Sequence, residues 1–367
     1  MAYQMETNRK VVLAVLAVLA IGCQVILEAT RSEKRVRGYE TKREAVELAT
    51  RSFETLRVAR VQQLGDINLD LDPAGTGLIG PRLSPITNSR GRQADKRTAL
   101  NPNFAAILVD YFQQIGLREG DPVAVAMSGS WPGWNVNLYA AMQAMELRPI
   151  IIHTVGTSNY GASDPQFSWL DMERALAEEG LISFRTVAAT PGGSDDMGNG
   201  LTAEGLATVW EIIERNGIRP LRTSNLYESI ERRMEIYQQG AQGGEIKAYV
   251  NAGGGLASLG SPLTEVPIST GLHLDLWKLN FPRSGTLVHM AKLGTPVVQL
   301  GNPRDLAREY ELPVAPSYMP VAGEGHALGR PAYDTRIAIV LLVVYLGLTL
   351  ALTMPALRER FAKRQAA

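Results

Sequence analysis

Apolar positions run almost unbroken in two places, Val11–Leu27 and Ile337–Leu357, and elsewhere mix with polar and charged ones. The second run has 21 residues without a charge, which in a helix rising 1.5 Å per residue crosses a hydrocarbon layer of roughly 30 Å. Arg358, Arg360, Lys363 and Arg364 follow it. The first run begins after Arg9 and Lys10 and is less clean, with Gln24 and Glu28 near its end. Membrane helices are therefore expected over 11–29 and 336–357, with short tails at 1–10 and 358–367, both on one side of the bilayer. No small-x-small cleavage site stands out after the first run, so an uncleaved anchor is favoured over a signal peptide. Lipidation at Cys23, preceded by Gly22, is a weaker rival because Ala20 replaces the usual branched residue.

Between these runs the periodicity changes twice. Ala45, Leu48, Ala49, Phe53, Leu56, Val58 and Val61 recur at helical spacing and predict one amphipathic helix over 38–64, the main part of a helical stalk spanning 30–64 that packs on the domain. A Gly/Pro/Asp-rich stretch, 65–101, reads as irregular. From Asn101 onward, helical patterns alternate with short apolar runs: Val123–Met127, Ile150–Val155, Thr186–Ala189, Ile246–Asn251 and Pro296–Leu300. Runs apolar on both faces are those of buried parallel strands. Residues 65–330 are thus expected to form an α/β domain, in one piece or two lobes, with a mostly parallel, Rossmann-like sheet covered by helices on both faces.

Composition narrows this picture. The net charge is zero and no basic patch alternates with aromatics, which removes nucleic acid as a partner. A single cysteine excludes an internal disulfide framework and a thiolate zinc site. Basic residues flank both sides of the first membrane run, so charge does not decide which side holds the domain. Its lack of cysteine tips the expectation towards the exterior of a bacterial inner membrane.

In an open α/β sheet, ligands settle beyond the carboxyl ends of the strands. Four small-residue loops fall there: Ser128-Gly129-Ser130-Trp131-Pro132-Gly133, Gly156 to Pro165 with Ser158 and Asn159, Thr190 to Asp196 with Gly192 and Gly193, and Asn251 to Ser258 with Gly253, Gly254 and Gly255. Pro132 suits a first helical turn, which would leave the amides around Ser128, Gly129 and Ser130 open to a carboxylate or phosphate. Tight strand-to-helix turns explain any one loop equally well. No P-loop, dinucleotide fingerprint or nucleophile elbow is present, and no cofactor is expected.

Acid–base candidates are fewer. His153 falls in an apolar strand and His289 in a helical pattern, where packing is the ordinary role; His326 and His273 fall in loops. A serine mechanism would use Ser128 or Ser130 as nucleophile, His326 or His273 as base, Asp164 or Asp171 to orient it, or Lys96 as the base instead. No histidine pair has zinc-helix spacing, and no metal site is expected. Asp66, Asn68, Asp70 and Asp72 alternate as in a calcium loop, but Leu71 and Gly77 stand where such a loop needs glycine and glutamate. The same alternation suits a half-buried strand.

Several strings occur in order along the chain: Asp72-Pro73, Thr76-Gly77-Leu78-Ile79-Gly80, Ser84-Pro85-Ile86-Thr87, Asn101-Pro102-Asn103-Phe104-Ala105-Ala106, Ser128-Gly129-Ser130, Ser168-Trp169-Leu170-Asp171-Met172-Glu173 and Gly253-Gly254-Gly255. With them the chain resembles, over nearly its whole length, the bacterial poly-γ-glutamate system proteins. The resemblance implies a place beside the ligase and membrane components that make and export this polymer. It implies no reaction and carries over no catalytic residue. Poly-γ-glutamate bears a free α-carboxylate on every unit. Lys96, Arg97 and Arg92 could then add charge-assisted contacts to the loops, although a solvated basic loop accounts for them as well.

Three functions follow as expectations. The first is a membrane component that binds the anionic polymer, a γ-glutamyl precursor, or the synthase. The second is a serine-type γ-glutamyl hydrolase or transferase. The third is a binder of a phosphorylated small molecule.

Overall fold

Seven short segments, five of them rich in Val, Ile or Ala, pair into one sheet: β1 (Pro122–Ser128), β2 (Arg148–Thr154), β3 (Ala188–Thr190), β4 (Arg219–Pro220), β5 (Ala248–Ala252), β6 (Gly271–His273) and β7 (Val297–Gln299). Their order is β4-β3-β2-β1-β5-β7-β6. All neighbours run parallel except β6, which is antiparallel to β7. This is a computed structural model; it describes residues 2–260, 268–278 and 285–365. The chain divides into two units, residues 1–36 with 329–367 and residues 37–328.

Alternation along the strands gives the larger unit two apolar layers. Val123, Val125 and Met127 point into one core, with the helices Tyr39–Leu64, Phe104–Ile115 and Pro132–Ala144. Ala124 and Ala126 point into another, with Tyr237 of the helix Leu226–Gly240 and Leu287 of the helix Thr286–Lys292. The expected α/β domain is present, mostly parallel and covered on both faces. Ser128 pairs with Thr154 and Thr154 with Thr190, so the carboxyl ends of β1, β2 and β3 are level. From β1 the chain travels outward to β4, then returns through β5 on the other side of β1. That reversal sets the loops after β1 and β5 side by side.

The expected helix over 38–64 is observed as Tyr39–Leu64, entered through Gly38 (φ 68°) and closed by Gly65 (φ 77°). Its apolar face, including Ala45, Ala49, Phe53 and Leu56, is buried in the first core. It packs on the domain as expected and is a core helix of the larger unit, while Ser32–Arg35, expected to be helical, forms a strand. The buried Lys42 ammonium on the same helix pairs with Asp110. The 65–101 stretch is mostly irregular, but Thr87–Ser89 pairs parallel with Thr157–Ser158 and Gln93–Ala99 is a short helix. Strands β4 and β6 were not legible in the sequence.

In the smaller unit, Ala2–Ala29 and Thr335–Gln365 are helical. Lys10–Ala29 and Thr335–Met354 are long and apolar enough to cross a membrane, and neither window is buried by protein. Ser32–Arg35 and Gly329–Ala332 join antiparallel beside them. There Tyr333 Oη donates to Glu28 Oε1 at 2.6 Å, and the Arg31 guanidinium lies 5.6 Å from the Tyr333 ring centre.

Candidate functional site

The loops after β1 and β2 close on each other. Gly129 N donates to the Thr154 carbonyl (3.1 Å) and Asn159 N to the Ser89 carbonyl (3.1 Å). Ser130 N donates to Ser128 Oγ (3.3 Å), and Ser158 N to Ser130 Oγ (3.0 Å). The helix beginning at Pro132 is covered at its start, since a Cβ on Gly133 would lie 2.5 Å from the Ala99 carbonyl. The expected row of open amides around Ser128, Gly129 and Ser130 is thus already satisfied by the protein. This corrects the amide-based anion site proposed from sequence.

The β5 loop is closed as well. Asn251 spends its side chain on Gln299 Oε1 (2.7 Å) and Gly254 N (3.0 Å). Gly253 has φ +79°, and a Cβ there would lie 2.6 Å from Trp131 Cδ1 and 2.9 Å from Ser128 Oγ. Glycine here lets the Trp131 edge rest on the backbone. Gly254 packs against Ala126 in the same way, whereas Gly255 is exposed. In the β3 loop, a Cβ on Gly192 would meet Thr154 and one on Gly193 would meet Asn199. These glycines shape turns.

Lys96 is 3 % exposed and holds its ammonium 3.5 Å from the Trp131 ring centre. Burial lowers its pKa to about 7, only partly opposed by Asp95; Asp95 itself is paired with Arg304 (2.8 Å). The Lys96 stem passes behind Gly91, where a Cβ would lie 3.2 Å from Lys96 Cε and 2.9 Å from Ser158 Oγ. Ser158 Oγ has no hydrogen-bond partner.

No serine triad is assembled among the described residues. His326 is tied to the end of another helix, its N–H on the Tyr310 carbonyl (2.8 Å) and its ring 3.6 Å from Glu311. His273 pairs with Val297, near the amino-terminal end of the sheet, and its Nε2 lies 2.8 Å from the Ser269 carbonyl. Asp164 Oδ1 accepts from Gln166 N (3.0 Å). Asp171 forms a capping box with Ser168 and pairs with Arg215 (2.6 Å). Burial pushes the Asp171 carboxyl up, but Arg215, Ser168 and Asn216 together bring it below its usual range. Neither Ser128 nor Ser130 shares a hydrogen bond with a histidine.

His153 is buried in β2, where desolvation and nearby Arg233 hold its pKa down to about 3, so the ring is neutral. Arg233 is itself buried and paired with Asp196 (2.8 Å), which also accepts from Ser229 and Thr190. The calcium-like run is spent on its own backbone: Asn68 Oδ1 accepts from Asp70 N, and Asp72 Oδ2 accepts from Thr76 Oγ1 and Gly77 N. No cluster of metal-ligating side chains occurs among the described residues.

The open concavity of this edge lies one loop away from the serines. A groove of about 740 Å³ runs between residues 82–92 and the Asn159 turn, and Arg82, Arg90 and Arg92 line it. All three are exposed, and none has a carboxylate partner among the described residues. Asn159 fastens the two walls, accepting from Gly91 N (3.1 Å) and donating to the Arg82 carbonyl. Asn88 also lines the groove, and its Nδ2 lacks a partner. Of the expected ligand residues, Asn159 and Arg92 border this groove, with Lys96 and Ser158 directly behind its Gly91 wall. Arg97, expected to face an anion, instead donates to the Ala315 and Pro316 carbonyls. Arg82 and Arg90 escaped notice because they sit in a stretch without periodicity; their signal was three arginines within eleven residues lacking an acidic neighbour. Comparison of the chain with protein-family models, with curated proteins and with solved structures finds no match in any of the three.

Proposed function

We propose that this protein is a membrane-anchored component of a poly-γ-glutamate synthesis and export system, and that it holds the anionic polymer in the Arg82–Arg90–Arg92 groove. The supporting observation is three exposed guanidiniums lining one concavity with no carboxylate partner among the described residues. Guanidiniums form paired hydrogen bonds with carboxylates, and a polymer bearing one carboxylate per unit offers them in series. The two apolar helices would tether the domain that carries this groove to the membrane through which such a chain is exported. The strand order, reversing at β1, supports a Rossmann-like reading of the domain. On this reading the domain faces the exterior of the bacterial inner membrane, and other synthase components are its neighbours.

A deletion strain tests the assignment. It should lose surface polymer while its extracts keep ATP-dependent ligase activity, and full-length protein should restore the polymer. Normal surface polymer in the deletion strain would exclude this role. If inorganic phosphate displaced the polymer from the groove at equal concentration of charge, a phosphorylated small molecule would become the better ligand.

A further inference from the structure

A second cavity, smaller and more enclosed, lies beneath the segments Gly77–Pro81 and Gly161–Asp164. Its volume is about 200 Å³, enough for a molecule of a few heavy atoms but well below the size of a drug-like site. Apolar walls come from Ile67, Leu78 and Phe167, and polar groups from Arg60, Asp72 and Asp164. Asp72 is 1 % exposed; its Oδ2 caps the Thr76–Gly77 turn, but its Oδ1 has no hydrogen-bond partner. A buried carboxylate oxygen left unpaired is costly, and native proteins rarely leave one without a partner. Arg60 gives one N–H to the Gly65 carbonyl (3.2 Å), leaving the rest of its five-donor fork available.

We infer that this cavity is a binding site for a small zwitterion, a free α-amino acid, with the ammonium on Asp72 and the carboxylate on Arg60. The charge arrangement selects this class. A simple cation would leave Arg60 unanswered, and a simple anion would be repelled by Asp72 and Asp164. The apolar walls accept a short side chain or methylene stem. Burial already raises the Asp72 carboxyl above its ordinary range, against the lowering effects of Thr76, Gly77 and Arg97. An ammonium guest would supply the partner that its charged form lacks. The site is separate from the arginine groove, so it stands or falls independently of polymer binding.

The test uses full-length protein in detergent or nanodiscs, titrated calorimetrically with L-alanine and L-glutamate. The comparison ligands are their N-acetyl forms, which lack the ammonium, and their α-amides, which lack the carboxylate. The free amino acids should bind saturably and each blocked form at least about tenfold more weakly, a difference of about 1.4 kcal/mol. Asp72→Asn keeps an acceptor for the turn but removes the charge, and should abolish binding. Ile67→Trp, which fills the cavity from its partly exposed wall, should do the same without touching the turn. No saturable binding, blocked forms binding as well as free ones, or binding that survives Ile67→Trp would each overturn the inference.

Discussion

The ammonium of Lys96 rests 3.5 Å from the centre of the Trp131 ring, a cation over an indole face at the edge of the sheet. Cation–π attraction contributes on the order of 1–2 kcal/mol when desolvated, less than the cost of keeping an unpaired lysine out of water. The pKa near 7 records that imbalance. Sequence placed Lys96 among residues contacting an anion; the structure places it behind the groove wall formed by Gly91.

Because the folded-state pKa lies below the unfolded value of about 10.4, the unfolded chain binds more protons between the two. Stability should therefore rise with pH from about 7 to about 10, and the penalty should be fully present below pH 7. Lys96→Met should be more stable than the natural chain at pH 6, by on the order of 4 kcal/mol at most. The gap should shrink as the pH approaches 10. Denaturant unfolding at several pH values reads this, and a pH-independent gap would refute it.

Asp196 and Arg233 form the buried ion pair of the β2–β3 edge. Asp196→Ala leaves the guanidinium without its partner and should cost about 3–5 kcal/mol. Adding Arg233→Met should recover part of that loss. Additive losses in the double variant would show that the two side chains are not coupled.

Gly253 and Gly255 both have positive φ, +79° and +68°, but only Gly253 faces a neighbour. Gly255→Ala should cost about 1–2 kcal/mol from backbone conformation alone. Gly253→Ala adds a clash with Trp131 and should cost about 2–5 kcal/mol, with a shift in tryptophan fluorescence. Equal costs and unchanged fluorescence in both variants would disprove the Trp131 contact.

Leu56 is fully buried on the helix Tyr39–Leu64. Leu56→Ala should destabilise the larger unit by about 2–5 kcal/mol, as a core cavity does. Exposed Val58, by contrast, should tolerate alanine with a change below about 0.5 kcal/mol. If both variants unfold like the natural chain, the helix does not pack in the core.

Much of the fold was legible because its signals are periodic. The five expected strands coincide with β1, β2, β3, β5 and β7, each a short apolar run, and the 39–64 helix follows from its amphipathic spacing. Strand β4 covers two exposed residues and β6 three at an edge, too short for alternation to register. The amphipathic face of the 39–64 helix also announced packing on the domain, but not that its neighbours are Phe104–Ile115 and Pro132–Ala144, distant in sequence. The candidate site was less legible. Gly192, Gly253 and Gly254 mark close approaches of backbone, but the approaching partner is the protein itself, Thr154, Trp131 and Ala126 respectively. Arg82, Arg90 and Arg92 meet because Thr87–Ser89 pairs with Thr157–Ser158, a pairing of segments some seventy residues apart that no local pattern announces.

Titration of poly-γ-glutamate of defined length into full-length protein in uncharged nanodiscs tests the groove assignment most directly. The Arg82→Ala/Arg90→Ala/Arg92→Ala variant serves as the comparison, each at low and high salt. Binding should be saturable, fall at least about tenfold in the variant, and weaken with salt as contacts between exposed charges do. Equal affinity for the natural chain and the triple variant would contradict polymer binding by this groove.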